Sequence, residues 1–292
     1  MTPHLIHIGY PKTASNFLRA WFETHPQIAF IHGGIAGYSN VQSIWRLPQE
    51  DAQPPRLRVT SSEVLVAPQT NTGPGVRHDP ERRGAMPAEQ ALVCGRLKEC
   101  FPNAHILIVT RGFRGMILSS YSQYVRTGGD LDMETLIANA QQSNAWHYDR
   151  LIGIYREAFG DDRVMVLPWE MLRDGPGDFA GAIERRFGLG AGPLPVQRFN
   201  TSLDPYELRW YPRLARAISR SPVARQRLLR IYAKAAFANR LSRPIKLLQR
   251  LRPAEPVTAA PLTDEVLELF RGQADVLAGD PRFDPYRNDY LL

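Results

Sequence analysis

Apolar residues along the chain fall into short runs, several of them followed by a stretch with helical periodicity. Leu5-Ile-His-Ile8 is a β-branched run ended by Gly9, and from Ser15 onward Phe17, Leu18, Trp21 and Phe22 recur on one helical face. The same order returns at His105-Ile-Leu-Ile-Val-Thr110, which runs into Arg111-Gly112 and then a helical stretch carrying Met116, Ile117, Tyr121 and Tyr124 toward Gly128-Gly129. Trp146 to Phe159 has helical spacing, Gly160 suits the position just past a helix end, and Arg163 to Leu167 reads as another buried strand. Strands alternating with helices predict an α/β fold whose central, mostly parallel sheet is covered by helices on both faces.

Other stretches break this pattern. Residues 33–55 and 67–87 are rich in Gly, Pro, Asn and Gln and are expected to be long loops, which in compact α/β domains usually serve as lids or binding segments. From Arg209 to Arg252 the pattern is helical and strongly basic, with no acidic residue. Pro253 to Pro261 reads as a linker, and Thr263 to Leu277 as one closing amphipathic helix with Val266, Leu267, Phe270 and Leu277 on its apolar face. The expected division is an α/β core over 1–208 and a helical, basic C-terminal region over 209–292, packed on the same domain.

Length and composition narrow this only partly. A chain of 292 residues, 43% hydrophobic, can bury a full core as one large domain. The two cysteines, Cys94 and Cys100, fit neither a disulfide framework nor a zinc site and read as reduced thiols. The longest apolar runs are far too short to span a bilayer, and no basic leader precedes an apolar stretch, so a soluble, cytoplasmic protein is expected. The net charge of +7 favours anionic ligands without choosing among nucleotides, acidic glycans, nucleic acid and membrane surfaces.

Two segments carry candidate chemistry. Gly9-Tyr-Pro-Lys-Thr-Ala-Ser-Asn-Phe17 joins a strand to a helix start, where free main-chain N–H groups and the helix dipole form an anion site. Lys12 adds a point charge and Thr13 a hydroxyl. The Gly-x-x-x-x-Gly-Lys spacing of nucleoside triphosphatases is not met, and the best candidate strand ends in Thr110-Arg111 rather than in a magnesium-binding Asp, so a cofactor without a metal-bridged triphosphate fits better. An ordinary turn with a solvated lysine is the plain alternative. Arg111 leaves the second strand, and Ser119 follows eight residues later, about two helical turns on. A guanidinium fork and a hydroxyl suit a terminal phosphate, although an arginine pairing with a nearby carboxylate would give the same spacing.

Taken together, the two segments resemble sulfotransferases that use 3′-phosphoadenosine 5′-phosphosulfate (PAPS). Tyr10-Pro-Lys-Thr-Ala-Ser-Asn-Phe17 is similar to that family's 5′-phosphosulfate loop, Pro-Lys-Ser/Thr-Gly-Thr/Ser-Thr/Ser, and Arg111 with Ser119 to its 3′-phosphate motif in the same order and interval. Val166-Leu-Pro-Trp-Glu-Met-Leu172 and Phe199-Asn-Thr-Ser202 resemble later family segments, so the likeness spans roughly residues 4 to 202. Ala14 replaces the usual Gly, implying a loop without a positive φ there; Asn16 replaces a hydroxyl residue, and Trp169 the usual tyrosine near the adenine.

The resemblance implies a P-loop-like sulfotransferase architecture and sulfuryl transfer from PAPS to an acceptor hydroxyl or amine, leaving 3′,5′-bisphosphoadenosine, with no metal. It implies a cofactor site of Pro11, Lys12, Thr13, Ala14, Ser15, Asn16, Phe17, Arg111, Ser119 and Trp169, with Arg114 either assisting or simply solvated. Lys12 would neutralise charge on the transferring group and the leaving oxygen. The base is expected between the two motifs: Glu63, ending Val59-Thr-Ser-Ser-Glu63 at the sheet's ligand edge, or His32, with a helix-capping carboxylate and a surface histidine as the respective plain readings. The acceptor is expected to be a glycan, lipid or secondary metabolite, with Tyr38, Trp45 and Arg77 as pocket candidates. The basic helices of 209–252 are expected to contact a membrane surface or an acidic substrate, or simply to present a solvated face; no nucleic-acid partner is expected. A P-loop nucleotide kinase and a non-catalytic polyanion binder are the competing functions.

Overall fold

Five strands, β1 (His4–His7), β2 (Ile28–Phe30), β3 (Leu57–Ser61), β4 (His105–Thr110) and β5 (Val164–Pro168), form one sheet in the order β2-β3-β1-β4-β5, every neighbouring pair parallel. The computed structural model describes residues 2–10, 12–32, 34–35, 55–66, 86–143, 146–196, 203–219, 225–238, 240–257 and 262–292. Side chains alternate across a strand, so Ile106 and Ile108 of β4 face one side with Ile6, Val164 and Val166. Leu107 and Val109 face the other with Leu5, Leu57, Val59 and Leu167. Burial on both faces explains why β4 reads as an unbroken apolar run.

On the Leu107 face lie α1 (Ser15–Thr24), which buries Phe17, Leu18, Trp21 and Phe22, and α7 (Pro176–Phe187), which buries Phe179 and Ile183. The Ile106 face is covered by α2 (Met86–Cys100), α3 (Phe113–Arg126), α4 (Met133–Ser143) and α5 (Tyr148–Phe159). A short helix, α6 (Trp169–Asp174), follows β5 directly. The C-terminal region contributes α8 (Pro205–Ser219), α9 (Arg225–Phe237), α10 (Ser242–Leu251), α11 (Asp264–Glu268) and α12 (Arg287–Tyr290). Its Tyr211, Tyr232, Ile245, Phe270 and Tyr290 share one buried cluster with Ile6 and Ile106.

The α8 start carries a capping box. The Asp204 carboxylate accepts from the Glu207 N–H at 2.8 Å, and Glu207 Oε2 accepts from the Asp204 N–H at 2.9 Å. The Ser242 hydroxyl donates to the other oxygen of Glu207, and Trp210 Nε1 donates to Gln249 Oε1 at 2.8 Å, which fixes the inner side of α10 on α8.

One expectation for the C-terminal region is corrected. The single closing helix over Thr263–Leu277 is only one short helix, α11, with Thr263 Oγ1 accepting the Val266 N–H. Gly272, at φ 73°, turns the chain into the left-handed region, and a 3₁₀ turn follows at Asp275–Leu277; Leu267, Phe270 and Leu277 are buried all the same. The described part of the expected linker is pinned: the Val257 N–H donates to Pro205 O at 2.9 Å, and Gln249 Nε2 to Ala254 O at 2.8 Å.

The C-terminus closes under the end of β4. Tyr290 is 1% exposed; its hydroxyl donates to Glu170 Oε2 at 2.9 Å and lies 3.1 Å from Thr110 Oγ1. Glu170 Oε1 accepts the Gly112 N–H at 3.0 Å, so this buried carboxylate ties α6, α12 and the turn after β4 together. Tyr290→Phe removes a donor from a buried carboxylate and should lower unfolding free energy by roughly 1–3 kcal/mol. Urea denaturation with an unchanged slope would register this; wild-type stability would mean that Glu170 does not depend on the tyrosine.

Candidate active site

The described residues of the candidate constellation sit at or just beyond the carboxyl edge of the sheet. The Ile8 N–H donates to Leu107 O, and the Ser62 N–H to His7 O, both at 3.0 Å, so β1 is flanked by β4 and β3 to its very end. The Lys12 loop therefore leaves the sheet between Glu63, which opens a 3₁₀ turn after β3, and Arg111, which follows β4. Open parallel sheets bind ligands at such a position, where successive connections run to opposite sides.

The loop is strained and closely held. Lys12 and Ala14 adopt φ of 71° and 73°, and non-glycine residues in this left-handed region each cost on the order of 1–2 kcal/mol. This corrects the expectation for Ala14: alanine takes up the positive φ itself. The hydroxyl of Thr13 donates to Tyr10 O at 2.5 Å, and Arg111 Nη1 donates to Lys12 O at 3.1 Å. Tyr10 is buried, with its ring edge-on to Tyr148 at 5.4 Å. Gly9 is required because a Cβ there would lie 2.3 Å from Nε2 of the buried His7, whose Nδ1 is 2.8 Å from Ser61 Oγ. Burial moves His7 down to a pKa of about 3, so it is neutral beneath the loop. Pro11 lies outside the described residues.

No side chain caps α1. Its first main-chain bond runs from the Leu18 N–H to Ala14 O at 2.9 Å, so the N–H groups of Ser15, Asn16 and Phe17 precede the helical ladder. The Ser15 hydroxyl is buried without a hydrogen-bond partner among the described residues. Asn16 Oδ1 accepts from Arg19 Nη2 at 2.5 Å, which leaves the amide hydrogens of Asn16 as donors. The Phe17 side chain belongs to the core, so only its main chain faces a ligand. These donors suit an anion.

Arg111 joins this loop to the second motif. Its guanidinium stacks on the Trp169 ring at 3.8 Å, its Nε is buried without a hydrogen-bond partner, and its carbonyl accepts from the Tyr148 hydroxyl at 2.6 Å. Ser119 is buried on α3, and so are Ser122 and Arg126, at intervals of three and four residues along the same helical side. Arg126 was missed from sequence, although a cation two helical turns beyond Ser119 on a buried face was a usable signal. Arg114 points elsewhere: it donates to Leu262 O at 2.8 Å and meets Asp264 at 3.5 Å.

Burial, then the Arg126 charge and then the Arg111 charge hold the Lys12 pKa down, and Glu63 opposes them, leaving it at about 8. Among the described residues, Lys12 thus shares one electrostatic neighbourhood with Arg126, Arg111 and Glu63, in which an anion would relieve the repulsion between the cations. His32 is exposed beyond the edge strand β2, one strand farther from the loop than Glu63. Tyr38, Trp45, Arg77 and the segment 199–202 lie outside the described residues.

No protein-family model matches the chain, and no curated protein matches it. Among solved structures, it is similar to a sulfotransferase from Alicyclobacillus acidocaldarius, at 17% identity and a TM-score of 0.46, covering 78% of this chain and 96% of that one. It is also similar to mouse sulfotransferase SULT7A1 complexed with PAP, at 11% identity and a TM-score of 0.38, covering 77% and 69%.

The Lys12 amine should lose its proton with a midpoint near pH 8 in the free protein, as read by competitive acylation of the amine across pH. Arg126→Gln removes a repelling cation and should move that midpoint up; Glu63→Gln removes the opposing carboxylate and should move it down. Coincident midpoints in all three proteins would mean that these groups do not share a field.

Proposed function

We propose that this chain transfers a sulfuryl group from PAPS to an acceptor hydroxyl or amine. The observation that carries this reading is the hydrogen bond from Arg111 Nη1 to Lys12 O, which makes one site of two anion motifs set 99 residues apart. The residues fit a bisphosphorylated donor: the orphan Ser15 hydroxyl, the uncapped α1 amides and the buried Arg111 Nε are all donors seeking an acceptor.

When bound, PAPS supplies an activated sulfuryl group on its 5′-phosphate. Lys12, with a pKa near 8, is predominantly cationic at neutral pH, so it stabilises negative charge and does not act as a base. The amides of Ser15, Asn16 and Phe17 and the Ser15 hydroxyl hold the 5′ end. Thr13 serves the loop, since its hydroxyl is committed to Tyr10 O. Arg111 and Ser119 take the 3′-phosphate, with Trp169 bracing the guanidinium, and Arg126 adds positive charge beside Lys12. Glu63 receives the acceptor's proton, favoured over the exposed His32 because it acts directly on the Lys12 field.

Lys12→Ala should reduce sulfuryl transfer by about 100-fold to 1,000-fold or more while the thermal midpoint stays close to wild type. Near-native turnover by the folded variant would refute the mechanism. Arg111 also supports the loop, so Ser119→Ala isolates the 3′-phosphate role more cleanly. Calorimetry should then find weaker binding of 3′,5′-bisphosphoadenosine with little change for adenosine 5′-phosphosulfate, and equal losses for both would dismiss that role.

A further inference from the structure

Thirteen of the 36 Lys and Arg residues, and none of the 29 Asp and Glu, fall between 209 and 252, so the remainder of the chain is net negative. Both α9 and α10 pack on α8, burying Leu229, Tyr232, Ala233 and Ala236 from α9 and Ile245 from α10. Their opposite sides mix cations with bare apolar side chains. On α9, Ile231 is 56% and Phe237 47% exposed, beside the exposed Arg227, Arg230 and Lys234. On α10, Leu247 is 58% and Leu251 71% exposed, one turn apart, beside Arg243, Lys246 and Arg250. Among the described residues none of these six cations pairs with a carboxylate.

We infer that the outer faces of α9 and α10 dock the protein on an anionic lipid bilayer. The cations meet headgroup phosphates and carboxylates while Ile231, Phe237, Leu247 and Leu251 enter the interface. Charge complementarity alone would suit any polyanion, but a glycan or nucleic-acid chain rewards only the cations and leaves four large apolar groups in water. An anionic bilayer satisfies both kinds of side chain at once. No helix among the described residues is long and apolar enough to cross a membrane, and the inner sides of α9 and α10 are committed to the core, so the contact is peripheral.

Sedimentation with phosphatidylserine–phosphatidylcholine vesicles tests this on the full chain, with pure phosphatidylcholine vesicles and heparin as the other probes. Wild type should bind the anionic vesicles, bind phosphatidylcholine much less, and lose vesicle affinity as salt rises. Leu247→Ser with Leu251→Ser keeps every charge and should weaken vesicle binding by about tenfold or more while heparin binding stays unchanged. Ile231→Ser with Phe237→Ser should do the same from α9. These residues are exposed, and the thermal midpoint checks that each variant folds. Absence of binding to anionic vesicles, serine variants that bind them like wild type, or binding to heparin alone would each overturn the inference.

Discussion

The site depends on parallel pairing of β1 with β4, because this alone brings the Lys12 carbonyl within 3.1 Å of Arg111 Nη1. That carbonyl belongs to a residue at φ 71°, a conformation its side chain disfavours, and Ala14 two residues on is in the same region. Two such residues cost a few kcal/mol, and a typical hydrogen bond returns about 1 kcal/mol. The loop therefore needs several holds at once: the Thr13 hydroxyl on Tyr10 O, the guanidinium on Lys12 O, and the burial of Tyr10 against Tyr148. The strain is concentrated within the 9–17 loop, beside Arg111. The backbone is held so that the N–H groups of Ser15, Asn16 and Phe17 precede the α1 ladder instead of bonding within it.

The C-terminal segment belongs to this support. Tyr148 stacks on Phe113 at 5.3 Å, Phe113 on Phe270 at 5.4 Å, and Tyr148 also meets Tyr290 at 6.1 Å. This aromatic column runs from beneath the Lys12 loop to the last residues of the chain. At its far end Tyr290 holds Glu170, and Glu170 holds the Gly112 N–H. A Cβ on Gly112 would lie 2.5 Å from Asp289 Cβ, so the turn after Arg111 is shaped by close approach of the chain end. Tyr290 therefore bears on the turn after β4 through Glu170.

What the sequence reveals follows from which forces act alone. The strands at 5–8, 105–110 and 163–167 and the helix from Ser15 were legible because burial on both sheet faces, or on one helix face, leaves a clean apolar pattern. The α2 helix was not, since its Leu92 is 54% exposed while Gln90 is fully buried and donates to Val66 O. The three-residue β2 is too short to show any period. Lys12 and Arg111 stood out through motif spacing. Their contact, the positive φ of Ala14 and the approach of Arg126 depend on strand order, which no local pattern encodes. The break at Gly272 was hidden because the same apolar residues become buried whether or not the helix continues.

The charge of +7 also separates into two populations that behave differently. Lys12, Arg111 and Arg126 are gathered in a partly desolvated volume, where low local dielectric strengthens both their mutual repulsion and their attraction for an anion. Their effect is short-ranged, geometrically selective and little screened by salt. Arg227, Arg230, Lys234, Arg243, Lys246 and Arg250 stand in water, where each interacts weakly and salt screens all of them. Such a surface gains strength only by number and by the apolar side chains beside it. Composition reports only a net charge, and the fold separates the partly buried cations from the solvated ones.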